Sequence, residues 1–181
     1  MKQRIVGSNF YLRPWTMEDQ ESLVKHANSE KIAMNMRDGF PNPYSMADAK
    51  DWINMVLKNK RDLIFAIEVD GEACGGIGLH GMTDVYRYNA EIGYWLSESL
   101  WGRGITTEAV RLLVKFGFEK YSWTRIYAGI FSWNTASMHV LEKCGFKKEA
   151  VFKKSVKKRG EVLDEHVYSI LKEEWIRGQK I

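Results

Sequence analysis

Trp101-Gly102-Arg103-Gly104-Ile105-Thr106-Thr107-Glu108 is the stretch on which the reading of the fold turns. Its two glycines stand between an apolar run at Asn89–Leu96 and a helical pattern that begins near Thr106. Glycine lets the backbone turn tightly, so successive N–H groups can converge on an anion. The helix that follows adds its own unpaired N–H groups and the positive end of its dipole. Arg103 can add a charge-assisted contact. The turn therefore predicts a cradle of the kind a pyrophosphate needs. It lacks the Lys-Ser/Thr ending of a P-loop and the longer glycine spacing of a dinucleotide-binding turn. On the glycines alone, a plain tight turn is an equal reading.

Outward from this turn the elements alternate in type. Asn9–Arg13 reads as a short strand and Met17–Asn28 as a helix. Two prolines in Gly39-Phe40-Pro41-Asn42-Pro43 stop any continuation. Ser45 and Asp48 stand as a capping box before a helix whose apolar positions are Ala49, Trp52, Ile53, Val56 and Leu57. Asp70-Gly71 joins strands Leu63–Val69 and Ala73–Leu79 as a hairpin. The helix from Thr106 to Lys120 has an inner stripe of Ala109, Val110, Leu113, Phe116 and Gly117. A strand at Arg125–Ile130 leads to a helix at Thr135–Cys144, closed by Gly145. Strands Phe146–Lys157 and Glu161–Leu171 flank Arg159-Gly160. The order predicts a mixed α/β fold around one sheet, without repeated βαβ units. Residues 1–181 are expected to form one domain.

Composition narrows the class. A chain of 181 residues with 45% hydrophobic and 28% charged residues is globular rather than disordered or fibrous. Cys74 and Cys144 suggest neither a disulfide framework nor metal-ligand spacing, so buried thiols, no metal and a cytoplasmic location are expected. Met1–Gly7 turns polar too soon for a signal peptide, and no apolar run approaches the ~18 residues of a membrane helix. A net charge of +4 with pI near 9.0 admits nucleic acid, an anionic cofactor or a basic surface. The basic residues gather at Lys147-Lys148 and Lys153–Arg159, where a solvated strand and loop is the simpler reading.

Three further motifs surround the glycine turn: Glu91-Ile92-Gly93-Tyr94-Trp95-Leu96 before it, and Asn134-Thr135-Ala136-Ser137 and Leu141-Glu142-Lys143-Cys144-Gly145-Phe146 after it. With Phe10–Trp15 near the start, the chain resembles the GNAT acetyltransferase superfamily, and within it the RimJ/RimL branch that acetylates ribosomal-protein N-termini. The resemblance implies a mixed, mostly antiparallel sheet of about seven strands, splayed between strands 4 and 5 and flanked by four helices. It implies acetyl-CoA as acyl donor. Gly102, Arg103, Gly104, Ile105, Thr106 and Thr107 would hold the pyrophosphate, and the backbone of Trp95 and Leu96 would pair with the pantetheine amides. Asn134 would touch pantetheine, Ser137 would protonate the leaving thiolate, and Glu91 would act as base. The aromatic-rich stretch from Asn35 to Tyr44 would line the acceptor site. Against the family pattern Gln/Arg-x-x-Gly-x-Gly/Ala, this chain has Trp101, Gly104 and Thr106, so the first and last positions depart from it.

By strand alternation Glu91 shares a face with Gly93 and Trp95, where a carboxylate can act as base directly or through water. A solvated glutamate near a strand end is an equal reading. Asn134 is expected to cap its helix in any case, with Ser137 at the third position. His80 is more simply structural, and His26, His139 and His166 offer less. No cysteine stands in a nucleophile position, which favours direct transfer to the amine. Deprotonating a lysine at pH 7 costs about 4.6 kcal/mol, an α-amino group roughly 1 kcal/mol, so a weak base suffices for an N-terminus. Three functions remain in view: acetylation of a ribosomal or other protein N-terminus, acetylation of a small amine (a polyamine, amino-acid derivative or antibiotic), and a CoA-binding or RNA-proximal module with little catalysis. A homodimer is left open, since no apolar stripe demands one.

Overall fold

The structure, a computed structural model, describes residues 4–179, so Met1–Gln3 of the N-terminal stretch lie outside it. In chain order the elements are β1 (Ile5–Val6), β2 (Tyr11–Arg13), α1 (Gln20–Ala27), α2 (Glu30–Ala33), α3 (Met46–Lys58), β3 (Leu63–Val69), β4 (Glu72–Gly81), β5 (Asn89–Leu96), α4 (Ile105–Lys120), β6 (Arg125–Phe131), α5 (Thr135–Lys143), β7 (Lys147–Lys158), β8 (Glu161–Leu171) and α6 (Lys172–Gly178). The strands form one eight-stranded sheet in the order β1-β2-β3-β4-β5-β6-β8-β7, with β5 and β6 parallel. The additions to the expected elements are short: β1, α2 and α6. The expected strands 4 and 5 are thus β5 and β6.

The chain divides into two compact units. The first comprises the described residues up to Gly78 together with Tyr94–Ala109. Its core gathers Trp15, Leu23, Ala27, Tyr44, Ala49, Ile53 and Trp95. Ser45 caps α3 as its spacing predicts, its Oγ accepting from the Asp48 N–H at 3.2 Å while Asp48 Oδ2 accepts from the Ser45 N–H at 2.9 Å. Asp70 and Gly71 both adopt positive φ, 50° and 85°, the conformation a two-residue hairpin needs. Two details of the helical stripes differ from expectation. Leu57 is 48% exposed at the end of α3. The helix read from Met17 opens as a single 3-10 turn before α1 starts at Gln20.

The second unit comprises Leu79–Gly93 and the described residues from Val110 onward. Along β6 the alternation is regular: Ile126, Ala128 and Ile130 are buried, and Arg125, Tyr127, Gly129 and Phe131 face partly outward. In α4 the buried residues include Val114 and Phe118, whereas Phe116 is only half-buried. Ala109, Val110, Leu113 and Gly117 are buried as expected, and Val114 and Phe118 widen the stripe on the side away from Phe116. Apolar side chains occupy more than half the helix circumference here, so spacing alone did not choose between the two phenylalanines. Gly145 takes φ 86° after α5, as a left-handed cap should. The outer strand β7 carries the basic cluster, in which Lys147 pairs with Glu174 and Lys153 with Asp164.

Candidate active site

In the first unit, β5 ends beside a tight contact with β4. A Cβ on Gly75 would lie 2.6 Å from the Trp95 carbonyl oxygen, and one on Gly76 would lie 2.7 Å from the Trp95 indole nitrogen. Only glycine leaves room for that backbone and ring. Phe40 meets the Trp95 ring at 5.9 Å and Tyr44 at 5.2 Å, both edge to face, so the loop before α3 is pinned onto the strand end. Burial pushes the Tyr44 hydroxyl up to about 12, which keeps it neutral.

The glycine turn follows. Gly102 and Gly104 have φ of 75° and 79°, and a Cβ built on either meets nothing within 4 Å. Their need for glycine is therefore conformational, and the space above them is open. The Glu108 N–H donates to the Gly104 carbonyl at 3.0 Å, closing the first turn of α4. Ile105, Thr106 and Thr107 are the first three residues of α4. Ile105 is buried and anchors it, while Arg103 is exposed. Glu108 is committed elsewhere: its carboxylate accepts from the Ser8 N–H at 2.8 Å and the Ser8 hydroxyl at 2.6 Å. The indole N–H of Trp101 donates to the Leu96 carbonyl at 2.8 Å. Gln, Arg and Trp side chains all carry N–H donors, so the unusual residue retains a donor at this position.

In the second unit, the parallel register runs from Asn89↔Arg125 to Glu91↔Tyr127, although β5 and β6 both continue beyond it. The parallel pairs of β5 and β6 end at that rung. Register partners in a parallel pair point to the same side, so half-buried Glu91 and Tyr127 share a face. Arg125 stacks over Tyr127 at 4.8 Å, and its charge is met by Glu149. Two residues further along β6, a Cβ on Gly129 would sit 2.2 Å from Glu165 Oε1, so the β8 carboxylate lies over that glycine. Glu165 is a second acid on this strand face that the sequence reading missed. Gly129 was its one signal, because a glycine inside a strand marks a close approach. Asn134 caps α5 as expected, its Oδ1 accepting from the Ser137 N–H at 3.2 Å. Both side chains are half-buried.

Residues 9–147 match the acetyltransferase (GNAT) domain family. The chain belongs to the GNAT acetyltransferases. Among GNAT relatives, the probable N-acetyltransferase YjcK of Bacillus subtilis (strain 168) is 34% identical over 179 residues, covering 91% of this chain and 95% of its own. The spermidine N(1)-acetyltransferase of Escherichia coli (strain K12) is 27% identical, covering 76% and 73%. The solved GNAT structure of RimL, a ribosomal L7/L12 alpha-N-protein acetyltransferase in complex with coenzyme A, has a TM-score of 0.83 at 18% identity, covering 93% of this chain and 98% of that one. The chain is thus an N-acetyltransferase with a GNAT fold.

Among the remaining sequence candidates, His80 and His139 are exposed. His26 lies in a polar network with Glu72, Cys74 and Ser97. Burial pushes the Cys144 thiol up to about 11 and raises that of Cys74. Neither is primed as a thiolate nucleophile. Among the described residues no helix is long and apolar enough to cross a membrane.

Proposed function

We propose that this GNAT enzyme transfers acetyl from acetyl-CoA directly to a primary amine, with a protein N-terminal α-amine as acceptor. The observation that carries the donor half is the pair of positive-φ glycines opening α4 beneath unfilled space. In this reading the backbone of Gly102 to Thr107, with Arg103, holds the pyrophosphate. The backbone of Trp95 and Leu96 takes the pantetheine amides, which supplies partners where β5 runs on past its last rung with β6. Asn134 contacts pantetheine through the amide nitrogen that its capping role leaves available.

The acceptor arrives as an ammonium ion, and Glu91 removes its proton directly or through water. The neutral nitrogen attacks the thioester carbon, the C–S bond breaks, Ser137 protonates the departing thiolate, and the proton that the newly acylated nitrogen sheds restores the serine hydroxyl. The raised thiols support direct transfer over an acyl-cysteine. Glu165 adds a second negative group to the strand face that bears Glu91, which favours a cationic acceptor. The modest cost of deprotonating an α-amine, roughly 1 kcal/mol, and the resemblance to the RimJ/RimL branch support the N-terminal reading. A cytoplasmic location fits it.

The spermidine-acetylating relative favours a second reading, a small polyamine acceptor. One screen separates them: purified protein, acetyl-CoA, a set of peptide N-termini and a set of small amines. Turnover on peptides that Glu91→Gln and Ser137→Ala both abolish supports the proposal, whereas turnover confined to polyamines overturns its acceptor half. Salt-sensitive RNA binding by a protein inactive toward every amine would restore the non-catalytic reading.

A further inference from the structure

Away from the acyl-transfer residues, His26, Glu72 and Cys74 bring a nitrogen, an oxygen and a sulfur together. The three donor atoms all lie within 4.8 Å of one another. His26 stands in the last turn of α1, and Glu72 and Cys74 are two apart in β4, so their side chains leave the strand on the same side. His26 Nε2 is 2.7 Å from Glu72 Oε2 and 3.4 Å from Cys74 Sγ. In a tetrahedral zinc site, with metal–ligand bonds of about 2.0–2.3 Å, neighbouring donors lie roughly 3.3–3.6 Å apart. The histidine–cysteine edge already has that length. The Glu72 oxygen must retreat by about half an ångström, a small rotation for a side chain that is 46% exposed.

The surroundings are those of a metal-binding imidazole. Ligating histidines almost always engage their second ring nitrogen with a polar partner, which sets the ring's orientation. His26 Nδ1 is 3.0 Å from Ser97 Oγ, leaving Nε2 toward Glu72 and Cys74. Ser97 is itself held, its N–H donating to the Cys74 carbonyl at 2.8 Å and its hydroxyl lying 3.2 Å from that of Ser99. Cys74 is buried and the His26 side chain is only 11% exposed, so two donors are fixed while Glu72 faces water. Lys25 Nζ also reaches Glu72 Oε2, at 2.7 Å, from a side chain that is 62% exposed and free to move away.

We propose that His26, Glu72 and Cys74 bind a zinc ion, with water as the fourth ligand. The mixed imidazole, carboxylate and thiolate set suits a borderline-soft divalent ion better than calcium or magnesium. As the Zn–S bond forms, the Cys74 S–H proton passes to solvent. The ion joins the end of α1 to the start of β4 and, through His26, fixes Ser97. Because Ser97 follows Leu96, loading would also stiffen the strand end before the glycine turn; that consequence alone rests on the acyl-CoA reading.

The test uses tag-free, chelator-stripped protein carrying Cys144→Ala, reduced with a phosphine, so that Cys74 is its one cysteine. Titration with Co2+ is expected to give a near-ultraviolet thiolate-to-cobalt absorption saturating at one equivalent, which Zn2+ then abolishes. Cys74→Ser should remove the band, and His26→Gln or Glu72→Gln should weaken binding by about tenfold or more. Zn2+ should raise the thermal midpoint of the parent. A folded parent with no thiolate band at tenfold excess of Co2+ overturns the site, and so does a band indifferent to the His26 and Glu72 substitutions. None of these readouts depends on catalysis, so the site and the proposed reaction fail separately.

Discussion

Glu165 lies across Gly129 so closely that an added Cβ would stand 2.2 Å from its Oε1. The obstructing atom ends a flexible side chain, so Gly129→Ala should push the carboxylate aside while β6 keeps its register with β8. The expected result is a fall in kcat/KM toward the amine of about tenfold, matched by Glu165→Gln, with the unfolding free energy changed by less than about 1 kcal/mol. Unaltered kinetics in both variants would separate Glu165 from the acceptor.

Gly75 presents the opposite case. The atom a Cβ would meet at 2.6 Å is the Trp95 carbonyl oxygen, which belongs to the backbone and has no rotamer to change. Gly75→Ala is expected to destabilise by about 1–3 kcal/mol, read from denaturant unfolding, because β4 and β5 must move apart. A variant as stable as the parent would contradict the packing described for the strand end.

At Gly102 and Gly104 there is room for a side chain but not a comfortable backbone for one. Alanine at either position should weaken CoA binding by roughly tenfold, in line with the 1–2 kcal/mol cost of left-handed backbone. Asparagine, which tolerates that region, should be milder than valine. Calorimetric titration with CoA would show the ranking; effects that rise with side-chain size, alanine being the mildest, would argue that volume decides instead.

Cys144 provides a pH-dependent test. Burial raises its thiol to about 11, against the slight lowering by Arg111. At pH 8 only about one thiol in a thousand is ionised, so alkylation should be slow and should keep accelerating beyond pH 9. The linked stability has the corresponding sign: since the folded value is raised, the contribution is complete below the ordinary thiol value and is lost as pH rises through about 11. A rate that levels off near pH 9 would refute the burial argument.

Asn134 joins a capping role to a proposed ligand role, and two substitutions can separate them. Asn134→Ser should keep most of the cap, whereas Asn134→Ala should lose about 1 kcal/mol of stability. If both weaken CoA binding equally, the side-chain amide contacts the cofactor. If only alanine does, the cap is the whole of its contribution.

Local chemistry was legible where neighbours in sequence are neighbours in space. Asp70-Gly71, Arg159-Gly160 and Gly145 all take the positive φ that their positions suggested, and Ser45 and Asp48 cap α3 as their spacing required. Asn134 and Ser137 meet because one helical turn separates them. Long-range encounters were not legible. Glu165 reaches Gly129 from the neighbouring strand β8, a pairing between distant stretches of sequence that no periodicity encodes. His26 meets Glu72 across 46 positions, a spacing that resembles no local metal motif. The choice between Phe116 and Phe118 depended on neighbours that pack against α4, not on the helix itself.

Trp101 is fastened at one edge and bare at the other: its ring N–H is held by Leu96 while 46% of the residue remains exposed. An indole so placed emits according to what lies against its open side. The residue that starts the glycine turn is therefore a built-in optical probe, and the difference between parent and Trp101→Phe spectra would isolate its signal from that of the chain's other tryptophans.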